Sequence, residues 1–160
     1  MQADFRRPVL AIDTSTSYLS LALQTDGQIV SFHEDVGTKQ SDLILPQIRV
    51  LFEQAGITAA DLGVIVYAQD PGAFTGLRIG TGVAQGLATP FDTPLIGIPC
   101  LDAAAYLLPN KAAYWRRPTR VWARCFTHGS TRECTGGLAI IRSAKRLKLS
   151  NPKAVRLPAA

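Results

Sequence analysis

Asp70-Pro71-Gly72-Ala73-Phe74-Thr75-Gly76-Leu77-Arg78-Ile79-Gly80 joins a strand-like apolar run, Leu62 to Ala68, to a helix-like run, Leu77 to Ala88. Strand, glycine-containing turn and helix in that order aim backbone N–H groups and a helix N-terminus at one point, where an anion can sit. Thr75 or Gly76 is placed to cap the helix, and Asp70 and Arg78 put opposite charges at its entrance. The glycine spacing fits neither the Walker pattern nor the dinucleotide fingerprint. Two readings stay open on physics alone: a capped turn between a buried strand and a closely packed helix, or a phosphate cradle.

Upstream, Val9 to Thr16 is an apolar run ending in an acid and hydroxyls, and Leu19 to Leu23 follows with alternation. Asp26-Gly27 then separates it from Ile29 to Phe32, and Asp-Gly between strand-like runs is a hairpin signal. Three strands in a meander are expected. Ser41 reads as the N-cap of a first helix, with Asp42 in its first turn and Gly56 as its stop. Its core stripe is Ile44, Ile48, Leu51 and Ala55, and Pro46 predicts a bend. Leu43, Leu45, Val50 and Phe52 fall off that stripe, so a second apolar face is implied.

The helix after Gly76 is rich in small residues: Gly80, Gly82, Ala84, Gly86 and Ala88. Each helical glycine costs about 1 kcal/mol relative to alanine, which points to close backbone approach. The approach is either to its own sheet or to another subunit, with Leu77, Val83 and Leu87 as anchors. Pro94 to Ile98 makes a fifth strand and Leu101 to Leu108 a third helix. Strands alternating with helices predict right-handed crossovers and a parallel portion of the sheet.

The opening stretch resembles the Gly-Pro-Gly-Ser-Phe-Thr-Gly-Leu-Arg segment of the TsaB or YeaZ-type dimerisation subunits of the bacterial tRNA threonylcarbamoyladenosine complex. Asp70 stands for the first glycine and Ala73 for the serine. Gln40-Ser41-Asp42-Leu43-Ile44-Leu45-Pro46-Gln47-Ile48 resembles the family's His-Ser-Glu-x-Leu-Leu-Pro-x-Ile, with Gln40 for the histidine and Asp42 for the glutamate. The resemblance covers roughly residues 8–108. It implies an α/β fold, the ribonuclease-H-like N-terminal half of an actin-like ATPase fold, βββαβαβα, over residues 1–110. Asp13, Thr14 and Ser15 resemble the first phosphate loop of that fold, although an Asp-Thr-Ser turn is also ordinary hairpin chemistry.

The charge is divided. Residues 1–110 hold five Lys/Arg and eleven Asp/Glu, a net −6, while residues 111–160 hold twelve Lys/Arg and Glu133, a net +11. The odd set of Cys100, Cys125 and Cys134 lacks metal spacing, and His128 between the last two does not complete a zinc set. His33, beside Glu34 and Asp35, is expected to be solvated. No apolar run approaches the roughly 20 residues that span a bilayer, and no signal-peptide core follows Met1 to Pro8. A cytoplasmic protein is the expectation.

After about Asn110 periodicity fades and basic residues scatter, as in a solvated or nucleic-acid-binding tail. The genetic code offers another reading of residues 111–160, as an out-of-frame translation and not a domain. Joining the third base of each codon to the next two, Tyr114–Trp115 must encode Leu and Trp122–Ala123 must encode Gly. Leu-Ala-Thr-x-Asp-Ala-Arg-x-Gly-Glu-Val-Phe-Tyr-Ala is allowed throughout, and it resembles the family's Asp-Ala-Arg-x-Gly-Glu-Val-Tyr.

The resemblance implies a non-catalytic subunit, with no catalytic residue and no metal site. Such a subunit pairs with a larger catalytic actin-like paralogue (TsaD-type) that transfers threonylcarbamoyl to N6 of the anticodon-adjacent adenosine of tRNA, joined by a small ATPase (TsaE-type). The implied interface is Leu43, Leu45, Phe52, Gly80, Val83 and Leu87, for that paralogue or for a second copy of the chain. No cofactor is implied; ATP is the ligand the Asp13–Ser15 loop would admit. The rivals are an actin-like phosphotransferase or ATPase using Asp13 and the 70–80 turn, the glycoprotease-type metallopeptidase of older family naming, and tRNA binding by the basic tail.

Overall fold

A computed structural model describes residues 2–100 and Ala103. Strands β1 (Val9–Asp13), β2 (Tyr18–Thr25) and β3 (Gln28–Asp35) form an antiparallel meander, and β4 (Val64–Ala68) and β5 (Leu95–Ile98) add parallel strands on its other side. The sheet order is β3-β2-β1-β4-β5, with helices α1 (Gln40–Ala55) and α2 (Phe74–Ala88) in the crossovers. The β2–β3 turn is the expected one: Asp26 and Gly27 have φ of 44° and 82°, the left-handed pair a tight hairpin requires.

β1 is buried on both faces, which its unbroken apolar run requires of a central strand. On one face Leu10, Ile12, Leu21, Leu23 and Ile65 meet Ile44, Ile48 and Leu51 of α1 and Ala84 and Ala88 of α2. On the other, Val9, Ala11, Ala22, Val64, Val66 and Ile98 gather with Ala3, Phe5, Cys100 and Ala103. The third helix expected over 101–108 lies outside the described residues apart from Ala103, and so do Cys125, His128, Cys134 and the whole of 111–160.

The helix ends differ from expectation at both N-termini. α1 begins at Gln40 after Lys39, and Ser41 is not its cap; the Ser41 hydroxyl donates to Asp42 instead, at 3.3 Å. The turn over Val36–Lys39, in which the Lys39 N–H donates to the Val36 carbonyl, starts the helix early. α2 begins at Phe74 after an extended Ala73, so neither Thr75 nor Gly76 caps it. The Ala73 N–H donates to the Ser15 carbonyl at 2.7 Å, so contact with the end of β1 fixes the entry that a cap side chain would otherwise set. Gly56 does end α1, at φ 65°, with Ile57 N–H returning to the Phe52 carbonyl.

Candidate functional site

The parallel strands β1, β4 and β5 all point their C-terminal ends at one edge of the sheet, where the 13–16 turn meets the 70–76 turn. The sequence-predicted residues there are brought together, but by each other. Thr14 is buried, and its hydroxyl donates to the Gly76 carbonyl at 2.7 Å. Ser15 is buried, its N–H donates to Asp13 Oδ1 at 2.9 Å, and its carbonyl accepts from Ala73. Gly72 lies so close that an added Cβ would come within 2.7 Å of the Ser15 Cβ. A Cβ on Gly76 would strike the Thr14 carbonyl. The Thr14 hydroxyl and the Ser15 and Ala73 N–H groups are thus taken up by the chain's own turn. The capped-turn reading of 70–80, without the side-chain cap, describes the geometry.

Asp13 is 3% exposed, and its Oδ2 has no hydrogen-bond partner among the described residues. Burial raises its carboxyl above the usual carboxylate range, while Ser15 and the His33 charge pull the other way. Burial likewise pushes the nearby Cys100 thiol up to about 12, with Asp13 and Asp70 adding to it. Cys100 is therefore a packed, protonated thiol.

Two contacts were missed in the sequence. Gln40 is buried, and its amide donates to the Thr16 carbonyl at 2.6 Å and the Tyr18 carbonyl at 3.0 Å, tying α1 to the β1–β2 turn. No local pattern signals a bond spanning that much chain. Arg78 does not face Asp70 as a charge pair at the helix entrance; its guanidinium lies 3.8 Å over the Phe74 ring, a contact that their i,i+4 spacing could have signalled. His33 is exposed as expected, with Nδ1 2.6 Å from the Ser20 hydroxyl and its ring stacked on Tyr18.

The second predicted region is the helical surface. Leu45 is 53% and Val50 42% exposed, whereas Ile44 beside them is 1% exposed. Leu43, Phe52, Val83 and Leu87 are half-buried at the margin of the core. Gly80 leaves this set: it is buried, and a Cβ there would run into the Thr14 hydroxyl. Its smallness serves the chain's own β1. Gly82 and Gly86 are exposed with open space where a Cβ would stand.

Fold and site together define half of an actin-like α/β unit in which the 13–16 turn packs against the start of α2. A family model described as TsaD, tRNA N6-adenosine threonylcarbamoyltransferase, matches residues 34–155. The TsaB protein of Escherichia coli K12 is 39% identical over 97 residues, which are 61% of this chain and 42% of that protein. That of Buchnera aphidicola from Schizaphis graminum is 37% identical over 109 residues, 68% of this chain and 49% of its own length. The structure of YeaZ from Pseudomonas aeruginosa superposes with a TM-score of 0.60 at 34% identity, covering 69% of this chain and 50% of that one. The chain belongs to the TsaD family, as a TsaB/YeaZ-type member. It spans about half the length of the curated relatives it matches. Among the described residues, no helix is long and apolar enough to cross a membrane.

Proposed function

We propose that this chain is a non-catalytic partner subunit in the addition of threonylcarbamoyl to N6 of the anticodon-adjacent adenosine of tRNA, and that it acts by pairing with the catalytic TsaD-type paralogue. The supporting observation is exposed apolar surface on α1. Leu45 and Val50 stay in water although the helix has already buried Ile44, Ile48 and Leu51 against the sheet. Leu43, Phe52, Val83 and Leu87 are half-buried at the margin of the core, and Gly82 and Gly86 of α2 are exposed with open space where a Cβ would stand. The relatives named TsaB set the pathway of the proposal.

Co-purification of the full chain with the paralogue from the same genome tests it. Leu45→Asp is expected to abolish capture, and Glu34→Ala, on the exposed edge strand β3, to leave it intact. Capture that survives Leu45→Asp, or magnesium-dependent ATP hydrolysis by the chain alone that Asp13→Ala removes, overturns the reading. A small TsaE-type ATPase and tRNA join through the same assembly in this proposal.

Residues 111–160 we infer to be an out-of-frame translation, on the strength of the obligatory Leu and Gly at the Tyr114–Trp115 and Trp122–Ala123 junctions, against the TsaD family model's match running on to residue 155. Sequencing the gene across codons 105 to 116 decides it. A frame that no one- or two-base change can join to the Asp-Ala-Arg reading refutes the inference. Salt-dependent tRNA binding lost on deleting 111–160 would give the tail a function of its own.

A further inference from the structure

The start of α2 is held to the end of β1 at every approach. Thr14 donates to the Gly76 carbonyl, Ala73 donates to the Ser15 carbonyl, Gly72 sits on Ser15, and Gly76 and Gly80 pack against Thr14. Under this clasp lies Asp13, with one carboxyl oxygen bonded to the Ser15 N–H and the other without a partner among the described residues. A carboxylate there keeps a charge with half of its acceptors unsatisfied. Two responses relieve it: the group takes a proton, or residues 13–15 draw away from α2 and admit water.

We propose that Asp13 is a proton-operated latch on α2: neutral, it lets residues 13–15 clasp the helix, and ionised, it loosens them. The charged or titratable groups around it come from three elements. His33 on β3 favours the anion, whereas Cys100 after β5 stays a neutral thiol. Asp70, in the turn before α2, acts on Cys100 and raises it further. Because α2 also carries Val83 and Leu87, loosening would reach the proposed pairing face; the latch itself does not depend on pairing, and its test reads none.

The Asp13 carboxyl carbon is followed by NMR through a pH titration of the full chain, together with amide exchange at Ala73 and Leu77 corrected for intrinsic rate. The Asp13 midpoint is expected above the ordinary value of about 3.9. Protection at Ala73 is expected to fall by up to about tenfold per pH unit between that value and the midpoint, the limit for one linked proton. Asp13→Asn should show no such fall, and His33→Gln, which removes the favourable charge, should raise the midpoint further. A midpoint at or below the ordinary value, pH-independent protection in the wild type, or the same fall in Asp13→Asn overturns the proposal. If Asp13→Asn does not fold, the wild-type titration and His33→Gln still decide.

Discussion

The Thr14 hydroxyl donates to the Gly76 carbonyl at 2.7 Å, joining the end of the central strand to the first turn of α2 across 62 positions of chain. Both residues are buried, so the bond is sheltered from water and fixes where α2 begins relative to the sheet. Thr14→Val keeps the shape and removes the donor. It is expected to lower stability by about 1–3 kcal/mol, the range for a buried group left unpaired. Urea unfolding should show a lower midpoint at an unchanged slope.

The glycines of α2 should divide by the side they face. Gly82→Ala and Gly86→Ala place a methyl in open space, and each is expected to stabilise the isolated chain by about 0.5–1 kcal/mol through helix propensity. Gly76→Ala drives a Cβ into the Thr14 carbonyl, which as backbone cannot swing aside, so the same gain is overwhelmed. Thermal melts of the three variants check the order. Under the pairing proposal, Gly82→Ala should also weaken capture of the paralogue while raising the melting temperature.

Ala73 has the extended backbone of an N-cap, φ −61° and ψ 121°, with no side chain able to cap α2. Ala73→Ser supplies a hydroxyl at an exposed position and is expected to add about 1 kcal/mol. Chemical denaturation measures it directly.

Neighbouring residues on α1 should behave oppositely. Ile44→Ala is expected to cost about 2–5 kcal/mol, since Ile44 is 1% exposed in the core shared by α1 and the sheet. Leu45→Ala, at 53% exposed, should stay within about 0.5 kcal/mol in the free chain. Under the proposal the loss then appears only when the paralogue is present. Denaturation with and without it separates the two.

Asp13 also sets the sign of a pH dependence. Its native carboxyl is raised by burial, so the folded chain binds the proton more tightly than the unfolded one. Its stabilising share is complete below the ordinary carboxylate value and is lost as pH rises to the native one, with no further change above. Melting temperature is expected to fall over that window in the wild type, less so in Asp13→Asn.

Local patterning made much of this legible. Asp26-Gly27 called for its hairpin, the apolar run from Val9 for the first strand of a meander, and Ile44, Ile48 and Leu51 for one buried face of α1. The two family-like segments pointed to the half-fold that relatives share. Helix starts were read less well, because Ser41 and Thr75 are good caps only where the backbone enters at the right angle, and contacts at Val36 and Ser15 set those angles.

The meander, the turn chemistry and the apolar stripes come from neighbours in the chain, and so the amino-acid sequence determined them by itself. Only the tertiary structure decided how the polar atoms of Thr14 and Ser15 are spent, that Gly76 and Gly80 face inward while Gly82 and Gly86 face out, and that Gln40 bonds the Thr16 and Tyr18 carbonyls. A hydrogen bond or close backbone approach depends on where two separately folded elements come to rest. Spacing along one element carries no record of that.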